Sequence, residues 1–255
     1  MMSAIRHPAP APVWRAYALE ARCELSRMLR EPAYCIPVIV FPALFYVLFG
    51  VLLNRSSEAA AQYLLASYGV FGVIGAAMFG FGVTIAMDRE RGYLRLRRAL
   101  PTPPGALLLA RMAMAVLFAL MVSALLAVLA ATLAGVRLAP GQWLGLTVVN
   151  VLGVLPFAAI GLWVGSVVGG NAAPVLLNAL YLPMAFLSGL WLPLSMLPEW
   201  IARAAPAWPA YHLAQLAQKV VGRDDGGAAW LHALVLAIVT ALFFLLAQRR
   251  LSAAD

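Results

Sequence analysis

Residues 138–198 read LAPGQWLGLTVVNVLGVLPFAAIGLWVGSVVGGNAAPVLLNALYLPMAFLSGLWLPLSMLP, 61 consecutive positions without one Asp, Glu, Lys or Arg. A helix crosses the hydrocarbon core of a bilayer with about 20 apolar residues, so a run of this length holds two spans. Gly169-Gly170-Asn171 supplies the turn between them. Outward from this stretch, further charge-free runs lie at Pro32–Asn54, Ala59–Met87, Met112–Val136 and Gly226–Gln248. The expectation is six spans, at about 34–53, 62–87, 107–135, 143–168, 173–194 and 228–247. They are read as helices, because the strict apolar–polar alternation of a membrane barrel does not occur.

Composition agrees. The 255 residues are 64% hydrophobic and 11% charged, with a mean hydropathy of +0.90. Soluble domains carry roughly 25% charged residues, so a soluble fold lacks its polar shell here, and a disordered chain would be poorer in apolar residues. The net charge of +8 would suggest nucleic acid in a soluble protein. Here the cations sit in the short segments between spans, where they set orientation and no nucleic-acid role is expected. Five arginines precede the first span (Arg6, Arg15, Arg22, Arg27, Arg30), six follow the second (Arg89, Arg91, Arg95, Arg97, Arg98, Arg111) and two follow the sixth (Arg249, Arg250). The other side carries one (Arg55), one (Arg137) and three (Arg203, Lys219, Arg223). Both termini are therefore expected in the cytoplasm. The domain reading is a cytoplasmic segment at 1–31, a membrane domain at 32–248 and a cytoplasmic tail at 249–255.

Residues 1–31 hold no apolar core of a signal peptide. Instead Trp14, Tyr17, Ala18, Ala21, Leu25, Met28 and Leu29 recur at helical spacing, with Arg15, Arg22, Arg27 and Arg30 towards the other face. This predicts an amphipathic interfacial helix with its cationic face towards anionic headgroups. It is either an anchor in the membrane lipids or a docking element for a cytoplasmic partner.

The charge-free runs offer no intramembrane ionisable group to an ion-coupled carrier. They also offer no acid–base pair, HExxH or GxSxG to an enzyme. A P-loop needs Gly-Lys, and the single lysine, Lys219, follows Gln218. Any ATPase belongs to another chain, so no cofactor or metal is expected on this one. His7 and His212 stand isolated, and His232 reads as an interfacial histidine at the outer end of the sixth span. Cys23 and Cys35 form no metal or disulfide pattern. The small-residue stripes Gly161/Gly165/Gly169 and Gly72/Ala76/Gly80 are expected to pack helices within one subunit in preference to forming a dimer seam. Asn150, Asn178 and Ser188 either line a path or bond across helices.

Two segments carry a resemblance. The first is Asp88-Arg89-Glu90-Arg91-Gly92-Tyr93-Leu94-Arg95-Leu96-Arg97-Arg98-Ala99-Leu100-Pro101, followed by Leu107-Leu108-Leu109-Ala110-Arg111. It is similar to the cytoplasmic loop of ABC type-2 exporter permeases, with Tyr93 where threonine is common and Arg95 where glutamate is common. The second is Leu187-Ser188-Gly189-Leu190-Trp191-Leu192-Pro193-Leu194-Ser195-Met196-Leu197-Pro198, which resembles the segment after the fifth span of that family. Pro206, Pro209 and Tyr211 follow as its proline–aromatic stretch.

The resemblance implies an all-α integral membrane protein with an N-terminal interfacial helix, a short cytoplasmic coupling helix over about 88–99 and short outer re-entrant helices. Such a permease works as a homodimer or heterodimer in the bacterial inner membrane. Its separate ATP-binding subunit, carrying ATP and Mg, drives export of a hydrophobic or amphipathic cargo such as a drug, lipid or glycolipid. Glu90, Arg91, Gly92, Leu94 and Pro101 would couple to the ATPase, with Trp14, Tyr17 and Leu25 on the interfacial helix. Gly189, Pro193, Pro198 and Tyr211 would shape the outer segment. The competing reading is a non-transporting membrane assembly or sensor protein.

Overall fold

The structure is a computed structural model, and it describes residues 13–30, 32–54, 57–93, 96, 106–223 and 227–253. Among these residues the regular structure is entirely helical. Helix α1 spans Val13–Leu29, and α2 runs from Pro32 to Phe45 before continuing as a π-helix over Tyr46–Leu52. Helices α3 (Glu58–Glu90), α4 (Ala106–Thr132), α5 (Pro140–Val167) and α6 (Ala173–Leu187) follow. Two short helices, α7 (Glu199–Ala204) and α8 (Pro209–Val220), precede α9 (Ala229–Ala253).

Four of these, α3, α4, α5 and α9, are long and apolar enough to cross a membrane. Two apolar helices are shorter, over Ile36–Leu52 and Ala173–Leu187. The expected span 173–194 therefore ends early. Ser188 closes the helix, and Gly189 takes φ +78°, the left-handed backbone that glycine adopts without a steric penalty. At 15 residues α6 is only about 22 Å long.

Helix α3 is the core. Every residue from Leu64 to Gly82 except Phe79 is buried, as expected of a helix apolar all round. Ser57 starts it, its Oγ accepting the Ala60 N–H at 3.2 Å. Helix α5 lies parallel to α3 at backbone contact. A Cβ at Gly161 would stand 2.5 Å from the Met78 carbonyl oxygen, and one at Gly165 would stand 2.3 Å from that of Gly82. At Gly161 and Gly165 the expectation of helix packing inside one subunit is met, whereas Gly169 lies beyond the end of α5.

Helices α4 and α9 present the opposite face of the physics. Leu109, Leu120, Met121 and Val128 of α4, with Leu234, Ile238, Leu242 and Leu245 of α9, are exposed apolar side chains. Apolar exteriors of this extent on two membrane-length helices suit lipid and not water.

Candidate functional site

The arginine-rich end of the bundle is organised by the last turn of α3. Asp88 is buried and takes arginines from two other helices. Arg27 of α1 donates to both its oxygens, Nη2 to Oδ1 at 3.0 Å and Nη1 to Oδ2 at 3.2 Å. Arg111 of α4, itself fully buried, donates through Nη2 to Oδ2. Glu24 of α1 completes the cluster, 3.7 Å from Arg111 Nε and 3.9 Å from Arg27 Nη1. Two cations and two carboxylates thus compensate one another where burial of any one alone would cost several kcal/mol.

The next two residues reach the other way. Arg89 Nη2 donates to the Val168 carbonyl at 2.8 Å, and Glu90 Oε2 accepts the Gly170 N–H at 2.6 Å. Both contacts clasp the turn between α5 and α6. Arg91 then caps α3, its N–H donating to the Met87 carbonyl, and Gly92 turns the chain at φ +73°. A new helical turn opens beyond it, with Leu96 N–H donating to the Gly92 carbonyl at 3.2 Å. Arg91, Tyr93 and Leu96 are exposed. The expected helix over about 88–99 does not start at 88: Asp88, Arg89 and Glu90 end the long α3, Gly92 follows, and residues 94, 95 and 97–99 lie outside the described residues. Leu94 and Pro101 lie outside the described residues.

On α1, Tyr17 and Leu25 are half-buried, and Leu25 packs with Ala76, Met114 and Phe118. Trp14, expected on the same face, is 68% exposed. The helix is rotated from its expected pose because Glu24 and Arg27 must meet Asp88 and Arg111. Its outer face carries Trp14, Arg15, Leu19, Arg22 and Arg30, all exposed. Sequence reasoning did not find Glu24, Asp88 or Arg111 as partners. A readable signal existed in Glu20 and Glu24, one turn apart on a helix whose other charges are all arginines.

At the far end, Tyr63 OH donates to the Gly189 carbonyl at 2.8 Å. Pro193 and Pro198 stand immediately before the 3₁₀ turn Leu194–Met196 and α7, respectively. Helix α8 is tied to α3 by Gln218, whose Nε2 donates to the Tyr63 carbonyl and Ser67 Oγ, each at 2.9 Å. Val220 lies against Gly145 and Leu213 against Gly153, so α8 runs antiparallel along the first half of α5. The ring of Tyr211 meets those of His212 and His232 edge-on. His212 is not isolated as expected: its Nδ1 lies 2.9 Å from His232 Nδ1, and both residues are buried.

A groove of about 490 Å³ opens between α2, α3 and α6, lined by Phe41, Pro42, Phe71, Phe79, Asn178 and Tyr181 among others. Asn178 faces it while bonding within its own helix, to the Pro174 carbonyl at 3.0 Å. Asn150 instead bonds across helices, to Ser123 Oγ at 2.8 Å.

An all-helical bundle with several apolar membrane-length helices, a lipid-suited exterior and one charge-clustered end defines a multi-pass membrane protein. The chain belongs to the ABC-2 type transporter family, whose profile matches residues 17–221. It is similar to "Putative transport permease YvfS" of Bacillus subtilis (strain 168), with 26% identity over 229 residues, covering 88% of this chain and 92% of that protein. Permeases of this family work with ATP-binding subunits, on which ATP hydrolysis takes place.

Proposed function

We propose that the chain is the permease subunit of an ATP-driven exporter in the bacterial inner membrane. It works as a dimer, with itself or with a related permease, and carries a separate ATP-binding subunit on its cytoplasmic face. ATP and Mg sit on that subunit, and this chain holds no cofactor. The shorter apolar helices α2 and α6 complete six crossings with both termini in the cytoplasm.

The observation that carries this reading is the clasped end of α3. Arg91, Tyr93 and Leu96, beyond Glu90, are exposed next to a helix end that is fixed to α1 and α4 through Asp88 and to the α5–α6 turn through Glu90. Motion imposed on Arg91, Gly92 and the following residues, Leu94 to Pro101, would reach four helices at once. The outer face of α1, with Arg15, Arg22 and Arg30 beside Trp14, suits anionic lipid headgroups. Gly189, Pro193, Pro198 and Tyr211 shape a re-entrant outer segment. The apolar groove at Phe41, Phe71 and Phe79 supports a hydrophobic or amphipathic cargo such as a drug, lipid or glycolipid.

Affinity purification from the native membrane in mild detergent, with partners identified by mass, tests the reading. A stoichiometric P-loop ATPase is expected. Its absence, under conditions that keep a known complex of this kind intact, would count against it.

A further inference from the structure

We propose that the cluster of buried Glu24, Asp88 and Arg111 with half-buried Arg27 is the joint through which movement of α1 and of the α3 end is delivered to α4 as a single displacement. The inference rests on the ATPase-coupled reading above and assigns to four residues a role distinct from contacting the ATPase.

Burial comes first. Glu24, Asp88 and Arg111 are each at most 2% exposed. Desolvating such charges offsets most of their mutual attraction, and apolar side chains of similar volume would hold three helices together at least as well. What a charge cluster adds is directionality. Asp88 receives a two-point fork from Arg27 and a third bond from Arg111, so its carboxylate is fixed in position and in plane by two helices. Slippage of α1 along α3 would break the fork, whereas apolar packing would slide.

Connectivity comes second. Arg27 and Asp88 lie 61 residues apart, and Asp88 and Arg111 lie 23 apart. The chain between Asp88 and Arg111 contains the surface segment that begins at Arg91, so the cluster closes the base of that loop. Asp88 and Arg111 hold its two feet together, and Arg27 fastens α1 to the same point. Above this base, α3 is locked to α5 by backbone contact at Gly161 and Gly165. A push at the loop therefore has a stiff path into the bundle.

The two arginines are not equivalent. Among the described residues Arg111 makes one hydrogen bond, through Nη2, and its Nε and Nη1 make none. A lysine there keeps the charge and that bond. Arg27 depends on its fork, which a lysine cannot reproduce. The test uses the permease–ATPase complex in proteoliposomes, comparing Arg27→Lys, Arg111→Lys and Asp88→Asn for ATPase content, ATP hydrolysis and transport per ATP. Hydrogen exchange of the α1 amides is followed in parallel.

In Arg27→Lys, the ATPase stays bound and ATP is hydrolysed, but transport per ATP falls about tenfold and α1 exchange rises, whereas Arg111→Lys keeps most of its transport. Asp88→Asn is expected to be the most severe, and if it fails to assemble the two lysine variants decide. Unchanged transport per ATP in Arg27→Lys overturns the joint, as does an equal loss in both lysine variants. If the wild-type chain shows no ATP-driven transport, the coupled reading has failed. The joint is then decided by α1 exchange, and exchange unchanged in Arg27→Lys overturns it.

Discussion

The Glu90 carboxylate grips the turn between α5 and α6 by accepting the Gly170 N–H at 2.6 Å, across 80 residues of chain. Gly170 is shaped for this contact, because a Cβ there would stand 2.6 Å from Glu90 Oε2 and 3.2 Å from Met87 Cα. A residue identified from its place in a loop motif is thus first of all a clasp between helices.

Breaking that clasp should loosen the turn and leave the bundle standing. Glu90→Ala removes a charge-assisted but partly solvated bond, so the cost is about 1 kcal/mol. Hydrogen exchange at 168–172 should accelerate while that of the α3 core is unchanged. Equal acceleration everywhere would show Glu90 to be a general stabiliser instead.

The α3–α5 seam makes a sharper prediction. Gly165→Ala places a methyl group 2.3 Å from the Gly82 carbonyl oxygen, which neither backbone can yield cheaply. A loss of about 3 kcal/mol or failure to assemble is expected. Gly141→Ala, in the first turn of α5 with open space around it, should be neutral or stabilising by up to about 1 kcal/mol. Thermal stability in detergent separates the two.

Helix α8 should depend on one amide. Gln218→Leu keeps the volume but removes the bonds donated to the Tyr63 carbonyl and Ser67 Oγ. The expected cost is about 2 kcal/mol, with raised protease sensitivity confined to residues 188–223. Unaltered proteolysis would mean that α8 is held by apolar packing alone.

In the groove, Tyr181 donates to the Phe71 carbonyl at 2.8 Å and stacks on the Phe71 ring. Tyr181→Phe keeps the ring and should cost about 1 kcal/mol. Phe79→Ala, by contrast, widens the wall and should alter cargo-stimulated ATP hydrolysis with little change in basal hydrolysis. Identical responses from both variants would detach the groove from cargo.

Much of the bundle is readable from hydropathy, because lipid demands long uncharged helices and the run from 138 to 198 admits only a break at Gly169-Gly170. The Gly161/Gly165 seam is readable for the same reason: small residues at helical spacing have few other uses in a membrane. Less visible is anything fixed by tertiary pairing. Arg111 looks like an ordinary boundary arginine until α4 brings it to Asp88. His212 and His232 look isolated because 20 residues separate them. The rotation of α1 is hidden too, since its apolar pattern and its buried acids ask for different faces. The early end of α6 at Ser188-Gly189 follows from a left-handed glycine inside a run that hydropathy treats as continuous.

In the proposed complex the exposed residues beyond Gly92 receive the ATPase, and photocrosslinking in native membranes tests this contact most directly. A crosslinking amino acid at Leu96, which is 61% exposed, should capture a P-loop ATPase, whereas one at Leu133, exposed beyond the other end of α4, should capture none. Capture of lipid or an unrelated protein alone from position 96, with the ATPase absent, would contradict the account.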